Sequence, residues 1–154
     1  MSLFLAGLLH ALLIAVGAVA TSAPSGATVE RVAYDGGHLV TDGRYFEGTV
    51  TLRFVRDGHV LHRWCSSGAP LRSAGRVAWV TLTCPESGDI TGTVLHRARA
   101  DGSCRVDQRL ERRPDTSGSV SLLRFRGEDL VYRSIDGARW RTDLAHPPHR
   151  IRRH

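Results

Sequence analysis

The chain has 154 residues, a formal net charge of +6 and a pI near 10.2; all 21 of its basic residues are Arg. That length holds one domain with a real core and excludes two comfortable ones. The basic balance fits an acidic partner, but three of the positive charges belong to Arg150, Arg152 and Arg153 at the C-terminus, and no base-stacking module accompanies them, which disfavours nucleic acid.

In chain order, the first feature is an apolar stretch over residues 3–20 in which only His10 can carry charge, followed by Ala18, Ala20, Thr21, Ser22 and Ala23. An apolar core followed by small residues has the order of a secretory signal, and the Ala18/Ala20 pair predicts cleavage after residue 20, with a second site after 23. The alternative is an uncleaved anchor, since 18 residues lie at the short limit of a membrane span. Both readings place the rest of the chain outside the cytoplasmic membrane.

Beyond residue 28 helical periodicity is almost absent. Apolar and β-branched runs are instead interrupted by Asp35-Gly36-Gly37, Asp42-Gly43, Asp57-Gly58, Ser87-Gly88-Asp89, Asp101-Gly102, Gly127 and Asp136-Gly137. Each is a turn signal, because Gly accepts positive φ without steric cost and Asp tolerates it. The spacing predicts strands over 28–34, 38–41, 45–56, 59–65, 75–84, 90–98, 104–112, 119–126, 130–135 and 138–142. Short links between consecutive strands favour antiparallel neighbours. The expected fold is therefore all-β: an antiparallel meander of about 8–10 strands, closed as an up-and-down barrel or curled into a two-layer sandwich. The domain is expected to span 28–143, with 144–154 a basic, disordered tail.

Alternation is clearest in Ala78, Val80, Leu82 and Cys84 against Val77, Trp79, Thr81 and Thr83. Val50, Leu52 and Phe54 share a face in the same way, as do Cys104, Val106, Gln108 and Leu110. The Asp57-Gly58 turn tests the register. A two-residue turn sets Arg56 opposite His59, but it also sets Leu52 opposite Arg63, a conflict if that face is core. A longer turn, a β-bulge, or an Arg63 that escapes to solvent would each resolve it.

Cys65, Cys84 and Cys104 allow one disulfide in an oxidising compartment. The alternation puts all three on inward faces. Cys65 with Cys104 is the expected pair, and Cys84 is the alternative partner. Val80-Thr81-Leu82-Thr83-Cys84 resembles the second strand of an immunoglobulin domain, and with Pro85 it resembles a stretch of the secreted subtilisin-inhibitor family. Neither family's cysteine pattern continues here, so no function is carried over.

Candidate sites are sparse. His59 and His62 are three apart in an extended segment and point to opposite faces, so with His96 they form no recognisable metal motif; no metal and no cofactor is expected. Ser66 or Ser67 beside His62 lacks a nucleophile-elbow motif. Glu47, Glu86, Glu111 and Glu128 sit at polar positions, where solvated carboxylates are the default, and no catalytic residue is assigned. Trp64, Trp79 and His62, with Ser66 and Ser67 in the longest loop, are the candidate ligand-binding residues. Arg63, Arg97, Arg99, Arg105, Arg109, Arg112, Arg113, Arg124 and Arg126 are candidates for a basic face.

The function expected is non-enzymatic recognition of a protein or an anionic polymer surface by a secreted domain. The alternative is a small hydrolase or a small-molecule or carbohydrate carrier with a pocket in the β domain. A concave recess lined by Trp with a convergent His or carboxylate favours the alternative; a flat basic patch favours surface binding.

Overall fold

Backbone angles show where the chain reverses. In the computed structural model, which describes residues 29–44, 48–83, 92–110 and 119–151, Asp35 and Gly36 take φ of 46° and 70°, and Asp57 and Gly58 take 50° and 76°. Two successive left-handed residues give a turn whose twist matches the flanking strands. The expected signal segment and its cleavage positions lie outside the described residues, as does Cys84.

The strands are β1 (Glu30–Tyr34), β2 (Gly37–Thr41), β3 (Val50–Arg56), β4 (His59–Ser66), β5 (Leu71–Ser73), β6 (Arg76–Thr83), β7 (Gly92–Arg99), β8 (Val106–Leu110), β9 (Ser121–Arg126), β10 (Asp129–Arg133), β11 (Arg139–Thr142) and β12 (His149–Arg150). They form two antiparallel sheets. The larger runs β1-β2-β3-β4-β6-β7-β8 with β5 paired to β6, and the smaller runs β12-β11-β10-β9. Neighbours in space are neighbours in sequence, as in a meander, except that β4 lies beside β6 while β5 pairs only with β6. Short β5 falls in the segment read as the longest loop, and β12 pairs Arg150 with Trp140 and His149 with Arg141 in the segment read as a tail.

β6 is buried on both faces. Ala78, Val80 and Leu82 join Leu95 of β7 and pack against Val120, Leu130, Tyr132 and Ile135 of the smaller sheet and its flanks. Val77 and Trp79 pack the other way, against Tyr34, Leu39, Leu52 and Phe54 on the curled β1–β3 portion of the same sheet. The larger sheet therefore wraps around one core and offers its back to a second. Arg97 of β7 bridges toward the smaller sheet: its guanidinium donates to Thr142 Oγ1 and, at 2.7 Å, to the carbonyl of Asp143. It is only 5% exposed, which removes it from the expected basic face.

Among the described residues no closed barrel forms. The end strands β1 and β8 share no ladder, and the curl is held by turns instead. Asp35 N–H donates to the Ala100 carbonyl at 2.8 Å, and Ala100 N–H donates to the Gly75 carbonyl at 2.7 Å. The expected Cys65–Cys104 bridge is also overturned. Cys104 is a free, exposed thiol; its φ of 54° and its position ahead of β8 take it out of the alternation that would have turned it inward. No disulfide joins two described cysteines.

The turn-to-turn clasp predicts a cost at Gly102. Its φ is +89°, and an added Cβ would lie 2.6 Å from Asp35 Oδ1 and 2.9 Å from Asp35 Cβ. Gly102→Ala is expected to lower unfolding stability by about 1–3 kcal/mol in urea, and an unchanged midpoint would refute the clasp. Iodoacetamide is expected to modify the native protein at Cys104, read by peptide mass.

Candidate aromatic binding recess

The register of the β3–β4 hairpin decides which side chains reach the concave face. Arg56 faces His59 and Val55 faces Val60, as a two-residue turn dictates, but Phe54 then faces His62, Leu52 faces Trp64 and Val50 faces Ser66. Leu61 is the extra residue of a β-bulge between these pairs, and it is 48% exposed. A one-residue insertion exchanges the two faces of everything beyond it. Here it turns Arg63 and Cys65 away from Leu52 and Val50 and brings His62, Trp64 and Ser66 beside the core stripe of β3.

The result is a recess of about 310 Å³ lined by Tyr34, Asp35, Phe54, His62, Trp64, Trp79 and Arg105. Phe54, His62 and Trp64 run as near-parallel rings, with centroids 6.4 Å and 5.3 Å apart and interplanar angles of 17° and 18°. Tyr34 meets Phe54 edge-on at 5.7 Å and Trp79 at 4.8 Å. Trp79, Tyr34 and Phe54 are buried, whereas His62 is exposed and Trp64 half-buried, so the rings grade from deep to open.

Charges flank the rings in opposed pairs. Arg105 lies over Trp79 at 5.5 Å and donates through Nε to Asp107 Oδ1 at 2.9 Å. Arg56 lies over Phe54 at 5.2 Å and pairs with Asp35 at 2.8 Å. Both pairs are partly exposed and add little to stability; their effect is to present donors and acceptors beside an apolar wall at near-neutral local charge. The indole N–H of Trp79 is buried and finds no acceptor among the described residues.

A buried polar chain holds Trp79 from behind. His96, directly opposite it on β7, stacks on it at 4.9 Å and 13°. His96 Nδ1 lies 2.7 Å from Asp107 Oδ1, and Nε2 lies 2.7 Å from Thr81 Oγ1. A carboxylate only accepts, so Nδ1 carries the proton and Nε2 accepts from the Thr81 hydroxyl. Burial holds the His96 pKa below its ordinary value even though Asp107 pulls the other way, so the ring is neutral near pH 7. For Asp107 burial acts to raise the pKa, but hydrogen bonds from Arg105 and His96 outweigh it and hold the carboxyl below its usual range. Hydroxyl, imidazole and carboxylate in this order match a hydrolytic triad in outline. His96, however, does not line the recess and is screened by Trp79, so the chain orients the indole.

Of the residues expected to bind ligand, Trp64, Trp79 and His62 share this recess. Ser66 and Ser67 do not. Ser66 is buried and its hydroxyl donates to the Gly68 carbonyl at 2.8 Å, while Ser67 Oγ donates to the Val120 carbonyl at 2.6 Å. Ser67 instead borders a separate recess of about 280 Å³ with Glu30, Leu71, Val120 and Leu122. Asp35, Phe54 and Arg105 were not expected at a common site; the contacts that bring them in are the sheet's curl and the clasp, which no local pattern records. Among the described residues no cluster of three or more His, Cys, Asp or Glu side chains is placed to hold a metal ion. Comparison with protein-family models, curated proteins and solved structures finds no match, so the chemistry of the recess stands on its own geometry.

The neutral buried imidazole sets the sign of a pH effect. A histidine whose folded pKa is depressed contributes stability that is complete above its unfolded value of about 6.5 and is lost as pH falls through the folded pKa. Thermal stability is expected to fall as pH is lowered from 7 toward 5. In His96→Gln, whose amide keeps both a donor and an acceptor without titrating, that slope should flatten; an equal slope in both proteins would remove His96 as its origin.

Proposed function

We propose that this domain is a non-enzymatic binding module acting outside the cytoplasmic membrane, and that its ligand is a small saccharide held in the aromatic recess. The observation that carries this is the convergence of Trp64, Trp79, Phe54, Tyr34 and His62 around one cavity, bordered by Arg105 and Asp35. A sugar ring offers a flat C–H face for the half-buried Trp64 indole and hydroxyls that both donate and accept, which suits a site where each cation has a carboxylate beside it. The volume lies at the small end for ligand pockets, roughly 300–1,000 Å³, which favours one or two rings over a long chain.

Concavity favours this reading over recognition of a protein through the same surface, because protein interfaces of stable complexes are broad and this recess is narrow. The test is titration of mono- and disaccharides followed by tryptophan fluorescence and calorimetry. Trp64→Ala is expected to weaken binding by about 1–2 kcal/mol, close to tenfold, with little loss of fold because Trp64 is only half-buried. A folded wild-type domain that binds no saccharide of the panel would sink the proposal.

A further inference from the structure

We propose that the outward face of the β9–β12 sheet docks the domain on an anionic phosphodiester polymer of the cell surface, independently of the aromatic recess. In this sheet Leu130 and Tyr132 point to the core with Phe125, Leu122 and Trp140. Strand alternation then puts the residues between them on the other side. A bulge between Val131 and Tyr132 resets β9, so that Arg124 faces Val131 and Arg126 faces Asp129, while on the other flank Arg141 faces Val131 and Arg139 faces Arg133. Five arginines thus share one sheet face, and Asp129, paired to Arg141 at 3.1 Å, is the carboxylate among them.

Arg133 directly opposite Arg139 is the telling pair. Like charges in register across an antiparallel ladder are destabilising, and neither guanidinium has an ion pair among the described residues. The same holds for Arg124 and Arg126. Val131 is only 5% exposed although it lies in this face, between Arg124 and Arg141 in register, whereas Arg124, Arg126, Arg133 and Arg139 are exposed. A repeating phosphate chain offsets this repulsion at several positions at once, and Arg binds phosphate bidentately. The sheet's aromatic side chains face inward, so the stacking platform that single-stranded nucleic acid needs is missing from this face. That selects a polymer recognised by its phosphates alone.

The test uses the full chain with fluorescent poly(glycerol phosphate), its affinity followed by anisotropy from low to moderate NaCl. Wild type is expected to bind with a linear fall in log affinity against log salt. R133Q/R139Q is expected to lose about tenfold or more at low salt and to shallow that slope by about 1.4. Its melting temperature should be no lower than wild type, since a repulsive pair has been removed. Trp64→Ala should bind the polymer normally, which separates this surface from the saccharide site. The proposal is overturned by a wild type that does not bind, by unchanged affinity or a lowered melting temperature in the double variant, or by oligothymidylate of matched charge binding as tightly.

Discussion

A single extra residue in β4 governs what the concave face of this domain can be. With Leu61 bulged out, Leu52 meets Trp64 and Phe54 meets His62; without it the same positions would meet Arg63 and Leu61. An arginine driven against a fully buried leucine would have to give up solvent without a partner, a cost of several kcal/mol. The bulge avoids that cost by exposing a leucine, which is cheap by comparison. The aromatic character of the recess follows from that local exchange as much as from the curl of the sheet.

The recess is also supported from behind. Trp79 is wedged between Tyr34 and the His96 ring, and His96 is in turn fixed at both nitrogens by groups on β6 and β8. Asp107 belongs to two functions at once, since it accepts from His96 and from Arg105. The cation beside the recess and the orientation of its deepest indole therefore depend on one carboxylate. Binding surfaces hold their shape when the groups touching ligand are themselves locked by a second set of contacts.

Much of the strand pattern was legible because the residues that reverse the chain advertise themselves. Asp35-Gly36 and Asp57-Gly58 are turns in the sequence and in the structure, and the alternation of Val77 to Thr83 places both faces of β6 correctly. The hairpin conflict at Arg63 was visible too, and a bulge was among its three solutions; choosing it required knowing that Trp64 could reach the core. Ala74, with φ of 47°, turns the chain with no signal in its residue type. Cys104 was misjudged for a related reason: alternation was extended one step beyond the strand, to a residue in the left-handed region. The open ends of the larger sheet were invisible, since whether β1 meets β8 depends on accumulated twist and on contacts between Asp35 and Ala100 that are far apart in sequence.

β6 is a wall common to two interiors, and this ties together regions of the surface that never touch. If the smaller sheet frays, Val80 and Leu82 become wet, and the strand that holds Trp79 loses half its packing. Conversely, any molecule that settles only in the assembled recess draws down the population of chains whose C-terminal strands have opened. Occupancy at one end of the domain thereby lowers the share of molecules whose C-terminal strands stand open to proteases at the other.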